Sequence, residues 1–246
     1  MNETFKKQPS STRPSSLRQP TYVWQLPIRL FHWINATAIV ILFITGMYIG
    51  NPILVAPGEA VGNFVMGNMR YWHGITAYIF TANLLFRLYW FIVGNEFAKM
   101  RFWRKEFWQD AVATLKYYLF MTHEHTTHVG HNSMAQLMYL IFIWFASMVM
   151  ILTGFAMRAT ATPEGVLGVF SWVIPAMGSE NLVRMFHHLF AWGYAAFLLG
   201  HLYMVFRQDI LDDDGTVSSM INGYKYELEV NIKPDDLENT SESKKR

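Results

Sequence analysis

Four histidines, spread over long apolar segments, are the residues best suited to carry chemistry. His32 and His201 lie toward one end of their segments in the expected topology, and His73 and His187 lie toward the other. Ionisable groups within apolar segments are costly and usually functional, and a neutral imidazole nitrogen is a common metal ligand. Two histidines at each of two depths predict two b-type haems with His ligands on both faces: an outer one at His73 and His187, and an inner one at His32 and His201.

The spacing in the last apolar segment agrees with this pairing. Fourteen residues separate His187 from His201, which is close to four helical turns and about 21 Å of rise. The two side chains therefore project from nearly the same helix face at two depths. His188 is thirteen residues from His201 and misses that face, so His187 is the predicted ligand.

An arginine stands near each of these histidines, on the side of the nearer membrane surface; the four are Arg29, Arg70, Arg184 and Arg207. Guanidinium groups there would pair with haem propionates. Gly46, fourteen residues after His32, would let a porphyrin approach the backbone. Each feature also has an ordinary explanation, because arginine at helix ends often snorkels and small residues pack membrane helices.

Four apolar segments must position these residues. They run approximately from Ile28 to Gly50, Tyr71 to Val93, Ala135 to Met157, and Met185 to Phe206. Each can cross a hydrocarbon core, which takes roughly 20 helical residues. Hydrophobic residues make up 52% of the chain and charged residues only 15%. The fold class predicted is therefore all-α, an integral membrane four-helix bundle.

Composition excludes several other classes. The net charge of +2 is too small to indicate nucleic-acid binding. Cysteine is absent, so disulfides, Cys-ligated iron–sulfur clusters and covalently attached haem are excluded.

The basic residues predict the orientation. They concentrate in the two tails and in the connection between the second and third spans, which places both termini in the cytoplasm. The predicted organisation is a disordered tail over residues 1–21, a membrane domain over 22–226, and a second disordered tail over 227–246. Met100 to Met121 is predicted as a helix on the cytoplasmic membrane surface. Gly165 to Gly178 is predicted to lie at the outer interface or against a partner.

Other polar residues before the third span form a second candidate site. His123, His125, His128 and His131 have spacing that suggests a metal site, but a solvated loop fits them better because few acidic residues are nearby. His131, Asn132 and Gln136 open the third span at the depth of the inner haem and are the candidate quinone site. Two haem-free alternatives stay open. One is a membrane anchor or transporter whose histidines form a proton relay. The other is a soluble four-helix bundle, which the length of the apolar spans disfavours.

Several motifs together resemble one known family, the b-type cytochrome subunit of membrane-bound nickel–iron hydrogenases. They include Pro27-Ile28-Arg29-Leu30-Phe31-His32-Trp33, Arg87-Leu88-Tyr89-Trp90, Val129-Gly130-His131-Asn132, Ile151-Leu152-Thr153-Gly154, His187-His188-Leu189, Gly200-His201 and Ser218-Ser219-Met220-Ile221-Asn222-Gly223-Tyr224. The similarity covers about Tyr22 to Tyr226.

The resemblance implies a multi-pass subunit of the bacterial cytoplasmic (inner) membrane. It would anchor the small and large subunits of a periplasm-facing hydrogenase, and electrons from the small subunit's iron–sulfur clusters would cross through two haems to membrane quinone. The family's haem ligands correspond to His32, His73, His187 and His201. The chain would be no enzyme by itself but the electron-transfer subunit of a hydrogen:quinone oxidoreductase. The nearest rival is a gamma-type subunit of a formate dehydrogenase or thiosulfate reductase.

Overall fold

Four long helices dominate the molecule. The computed structural model describes residues 18–53, 64–95, 102, 104–119, 121–122, 133–212 and 214–228. Their elements, in chain order, are β1 (Arg18–Tyr22), α1 (Leu26–Gly50), α2 (Val65–Val93), α3 (Lys105–Tyr118), α4 (Ser133–Ala159), a 3-10 turn (Val166–Phe170), α5 (Val173–Met177), α6 (Glu180–Asp212), α7 (Thr216–Asn222) and β2 (Tyr224–Leu228). Helices α1, α2, α4 and α6 are long and apolar enough to cross a membrane. The predicted all-α membrane bundle is confirmed.

The long helices carry large apolar side chains on their outer surfaces. Ile44, Leu85, Phe145 and Leu199 are all more than half exposed, which a soluble protein avoids over so large an area and a lipid-facing surface requires. The helices also extend beyond the predicted spans. The apolar pattern marks only the part of each helix in hydrocarbon, whereas α2 begins six residues before Tyr71 and α6 begins at Glu180.

A two-stranded antiparallel ribbon closes one end of the bundle, called the ribbon end below. Strand β1 pairs with β2, with Arg18 opposite Leu228 and Tyr22 opposite Tyr224. The predicted tail boundaries at residues 21 and 227 fall inside this ribbon. Backbone pairing between segments about 200 residues apart orders them, and no local sequence signal reports such pairing.

The short helix α7 docks on the start of α1 at the ribbon end. The indole nitrogens of Trp24 and Trp33 donate to the Ser219 hydroxyl (3.1 Å) and the Met220 carbonyl (3.0 Å). Gly223 then turns the chain into β2 with φ +91°, and a Cβ there would meet the Tyr22 ring at 2.6 Å. Glycine is required because the left-handed conformation and the close contact both exclude a side chain.

Helix α3 lies between the second and third spanning helices in the sequence and packs on α4. Its buried residues, Phe107, Ala111 and Thr114, follow helical spacing and form one face. The backbone N–H of Ser133, the first residue of α4, donates to the Asp110 carboxylate at 3.2 Å. The amphipathic helix predicted for Met100 to Met121 therefore has its described helical part at Lys105–Tyr118.

The middle of α4 is a π-helical segment, Leu140–Ala146. The Phe142 carbonyl in this segment accepts from the Ser147 backbone N–H, from Tyr194 Oη (2.6 Å) and from Ser147 Oγ (3.1 Å). The two hydroxyls also contact each other at 2.7 Å. Tyr194 is seven residues from both His187 and His201, so these hydrogen bonds join α4 to α6 midway between the two histidines.

Candidate functional site

The bundle brings the four predicted histidines together as two pairs. The ring centroids of His32 and His201 are 6.3 Å apart near the ribbon end. Those of His73 and His187 are 6.4 Å apart near the other end, called the far end below. A metal ion between two imidazoles lies about 2 Å from each ligating nitrogen, so the centroids lie about 6 Å apart. Both pairs have the spacing of a bis-imidazole metal site.

Two threonines hold the far-end pair. Thr45 Oγ1 lies 2.9 Å from His73 Nδ1, and Thr153 Oγ1 lies 2.8 Å from His187 Nδ1. Thr45 comes from α1 and Thr153 from α4, so each histidine is supported by a neighbouring helix. Neither threonine was predicted to belong to the site, although Thr45-Gly46 and Thr153-Gly154 form the same dipeptide in two different spans.

The glycines of these dipeptides admit the imidazoles. A Cβ on Gly46 would lie 3.2 Å from His73 Cε1, and a Cβ on Gly154 would lie 3.2 Å from His187 Cε1. Gly46 was predicted to make room for a porphyrin; the contact in the structure is with the His73 ring. Gly154 makes the matching contact and was not predicted.

The two adjacent histidines of α6 face different surroundings. His187 contacts Thr153 and pairs with His73. His188 lies against the end of α1, where a Cβ on Gly50 would be 3.1 Å from its Cε1. The helix phase that favoured His187 over His188 therefore corresponds to a real difference in position.

The ribbon-end pair has different support. His32 Nδ1 is buried and has no hydrogen-bond partner among the described residues. The His201 ring stacks on Phe197 at 5.5 Å and 21°, and Phe197 in turn stacks on Phe142 of the π segment at 4.2 Å. The two sites therefore differ in hydrogen bonding to their imidazoles.

A buried arginine lies in α2 near the ribbon-end pair. Arg87 is 4% exposed, and its guanidinium sits over the rings of Phe31 (5.9 Å) and Tyr139 (5.3 Å). Phe31 directly precedes His32, and Arg87 is fourteen residues after His73. It therefore lies on nearly the same α2 face as His73 at the other depth. Arg87 was not predicted to belong to the site, although an intramembrane cation signals function.

The four arginines predicted near the histidines have varied partners. Arg29 donates from its guanidinium to the Ile221 carbonyl. Arg70 is exposed, and Arg207 lies over the Tyr117 ring at 5.4 Å. Arg184 pairs with Glu180 at 2.9 Å on the surface of α6; an exposed pair of this kind is weak and leaves Arg184 available to a propionate.

A further arginine at the far end was not predicted to belong to the site. A Cβ on Gly74 would lie 3.8 Å from a terminal guanidinium nitrogen of Arg158. Gly74 directly follows His73, and Arg158 is four residues after Gly154. Arg158 is therefore a further cation beside the far-end pair.

The candidate quinone residues fall mostly outside the described part of the chain. His131, Asn132 and the cluster from His123 to His131 are not among the described residues. Gln136 is partly buried in the first turns of α4. Within the described ranges, no group of three or more His, Asp or Glu residues comes together as a metal site.

One ion pair supports the ribbon end outside the spans. Lys225 Nζ lies 2.8 Å from Asp214 Oδ2, with both side chains largely buried. Burial alone would raise the pKa of the Asp214 carboxyl, but hydrogen bonds from Lys225 and Thr216 outweigh it, and the pKa lies below its ordinary value. The pair ties β2 to the start of α7, which contacts Trp24 and Trp33.

The fold defines a multi-pass helical membrane protein whose bundle holds two pairs of facing histidines. A family model described as prokaryotic cytochrome b561 matches residues 23–223, which is most of the chain. The chain belongs to this family.

Curated relatives agree with the family match. A protein of Cupriavidus necator named probable Ni/Fe-hydrogenase B-type cytochrome subunit is 39% identical over 211 residues, 83% of this chain and 86% of its own. A similarly named Azotobacter chroococcum protein is 35% identical over 83% of this chain and 88% of its own. The probable Ni/Fe-hydrogenase 1 B-type cytochrome subunit of Escherichia coli is 35% identical over 83% and 90%. The resemblance stated from the motifs is confirmed.

Membership in a cytochrome b family implies haem b, and the described residues fit it. The candidate donors are imidazoles whose ring spacing suits two ligands of one iron, and glycines open the helix surface beside both far-end rings. His32, His73, His187 and His201 are the residues that would hold the iron.

Proposed function

We propose that this chain is a di-haem cytochrome b that anchors a nickel–iron hydrogenase and carries electrons from the iron–sulfur clusters of its small subunit to membrane quinone. The observation that carries the proposal is the presence of two imidazole pairs, 6.3 and 6.4 Å between centroids, at two depths of one bundle. The relatives' names support hydrogenase as the partner.

The histidines and their neighbours have distinct roles in this proposal. Haem b held by two imidazoles supplies one-electron transfer without an open coordination position. His73 and His187 form the site nearer the periplasm, and His32 and His201 form the site nearer the cytoplasm. The arginines near the two pairs would neutralise the propionates of such haems; they are Arg29, Arg70, Arg158, Arg184 and Arg207. Apolar helix surfaces keep water from both sites.

In this proposal the subunit lies in the inner membrane of a bacterium. Its ribbon end and both chain termini face the cytoplasm. The distribution of basic residues supports it. Hydrogenase would then dock at the far end, against the 3-10 turn, α5 and the start of α6. Quinone would bind near His201, with His131, Asn132 and Gln136 as hydrogen-bond partners. Substituting Asn132 should lower both quinone reduction and inhibition by a quinone analogue; no change in either would exclude Asn132.

The experiment that tests the di-haem proposal is a haem count on four single variants. His73→Ala and His187→Ala should each remove one of two haems. The spectrum and potential of the remaining haem should show that both variants lose the same one. His32→Ala should remove the other. His188→Ala is the matched control, because it changes the neighbouring imidazole of α6, and it should retain both.

Other outcomes would favour other functions. A folded protein with no haem would support the anchor or proton-relay alternative. Two haems in a chain that copurifies with formate dehydrogenase or thiosulfate reductase would move the proposal to that complex. Hydrogen-dependent quinone reduction by membranes, lost in His32→Ala and His73→Ala, would support the hydrogenase assignment.

A further inference from the structure

The two histidine pairs differ in the atoms that surround their Nδ1 nitrogens. At the far end both Nδ1 atoms lie within hydrogen-bond distance of a threonine hydroxyl, 2.9 Å for His73 and 2.8 Å for His187. At the ribbon end His32 Nδ1 is buried without a hydrogen-bond partner in the described part of the chain. The same type of ligand is therefore held in two ways within one molecule.

The direction of the threonine hydrogen bonds follows from donor counting. Thr45 Oγ1 lies 2.7 Å from the Ile41 carbonyl, and Thr153 Oγ1 lies 2.6 Å from the Val149 carbonyl. A carbonyl can only accept, so each hydroxyl uses its single proton there. Each hydroxyl oxygen must then accept from the imidazole, which puts the proton of His73 and of His187 on Nδ1.

This arrangement fixes the tautomer needed for metal binding. With the proton on Nδ1, Nε2 of each ring keeps its lone pair for the metal. An acceptor at Nδ1–H also makes the imidazole a stronger electron donor. A stronger donor stabilises the oxidised more than the reduced iron, and hydrogen bonding of this kind is one of the means by which proteins adjust haem potentials.

We infer that Thr45 and Thr153 are positioning residues that set the His73 and His187 tautomers and lower the reduction potential of a haem at the far-end pair relative to one at the ribbon end. This inference rests on the proposed di-haem function. A lower potential at the far end makes electron movement from that end toward the ribbon end favourable, the direction required if the partner docks at the far end.

The test is a redox titration of the purified, haem-loaded protein, followed by haem absorbance. Thr45→Val and Thr153→Val keep the side-chain shape and remove the hydroxyl. Each should raise the potential of one haem and leave the other unchanged. The double variant should shift that haem's reduction equilibrium at least tenfold, equivalent to about 59 mV for one electron. Thr45→Ser and Thr153→Ser keep the hydroxyl and should stay near the wild-type potential.

Thr81→Val is the matched control. Thr81 makes the same bond within its helix, 2.8 Å to the Ala77 carbonyl, and lies eight residues from His73. It should leave both potentials unchanged. Loss of one haem in the far-end valine variants, with retention in the serine variants and in Thr81→Val, would also support a positioning role.

Two results would overturn the inference while leaving the proposed function standing. One is two haems with wild-type potentials in the double valine variant. The other is an equal shift in the serine variants, or in Thr81→Val, which would indicate a general change in the helices. A wild-type protein without two haems would instead refute the proposed function. The electron paramagnetic resonance signal of the oxidised far-end haem gives a second readout, because it should change in the valine variants alone.

Discussion

Replacing Gly46 or Gly154 with alanine should weaken haem binding at the far end while the protein without haem becomes no less stable. The added methyl carbon would lie 3.2 Å from an imidazole Cε1 in each case. Carbon atoms prefer separations of about 3.5–4.0 Å, so the ring must move by roughly 0.3 Å or more. Metal–ligand distances tolerate shifts of only about 0.2 Å.

The magnitude follows from two opposing effects. Overpacking a fitted site costs about 1–3 kcal/mol, which corresponds to a 5- to 150-fold loss of haem affinity. Alanine in a helix interior is favoured over glycine by up to about 1 kcal/mol with or without haem, and an imidazole that binds no iron can move away from the added methyl group. The haem-free protein should therefore unfold at the same or a higher temperature, while the far-end haem is lost more easily.

The assay is haem per chain by pyridine haemochrome, measured during dilution or competition with a haem-binding apoprotein. Gly200→Ala is the matched control, because a Cβ at Gly200 meets nothing within 4 Å although it lies beside His201. Gly46→Ala and Gly154→Ala should lose the far-end haem first, and Gly200→Ala should behave as wild type. Equal haem retention in all three variants would refute the idea that the imidazoles are seated against glycine backbone.

Three further predictions concern other parts of the bundle. Asp214→Asn should destabilise the ribbon end at neutral pH, which would be measured as faster proteolysis there. In the wild type the pKa of the Asp214 carboxyl is lowered by folding, so its stabilising effect is fully present above the unfolded-state pKa. That effect is lost as the pH falls through the folded-state pKa. Arg87→Met should lower the potential of the ribbon-end haem and Arg87→Lys should not, because a unit charge on the order of 10 Å away contributes about 1–2 kcal/mol at an effective dielectric constant near 20; an unchanged redox titration would contradict this. Tyr194→Phe removes a hydrogen bond to the Phe142 carbonyl and should cost about 0.6–1.7 kcal/mol in thermal unfolding in detergent, with haem content as the control.

The sequence was sufficient to predict the four spans and to predict which histidines lie close together. Apolar runs mark spans because hydrocarbon excludes polar side chains. The fourteen-residue step from His187 to His201 could be used because α6 is one continuous helix. The expected depth of each histidine in the membrane then left one possible partner for it. Which residue binds iron is a further step that remains a prediction.

Other features depend on contacts that the local sequence does not report. Leu140–Ala146 contains no proline or glycine, yet it forms a π segment, whose Phe142 carbonyl accepts from Tyr194 Oη of another helix. Thr45 has the appearance of an ordinary membrane-helix threonine until His73 is placed beside it. The ion pair of Arg184 with Glu180 could have been predicted from the sequence, since Glu180 lies four residues earlier on the same helix.

The pairing of β1 with β2 has a practical consequence for mapping this chain across the bilayer. Arg18 and Leu228 are partners in the ribbon, so the polypeptide enters and leaves the bundle on one face of the membrane, whichever face that is. Reporter enzymes fused to the two chain ends must give the same compartment. A discordant pair of reporters would therefore identify misinserted molecules, and a single reporter at either end is enough to decide the topology of the whole bundle.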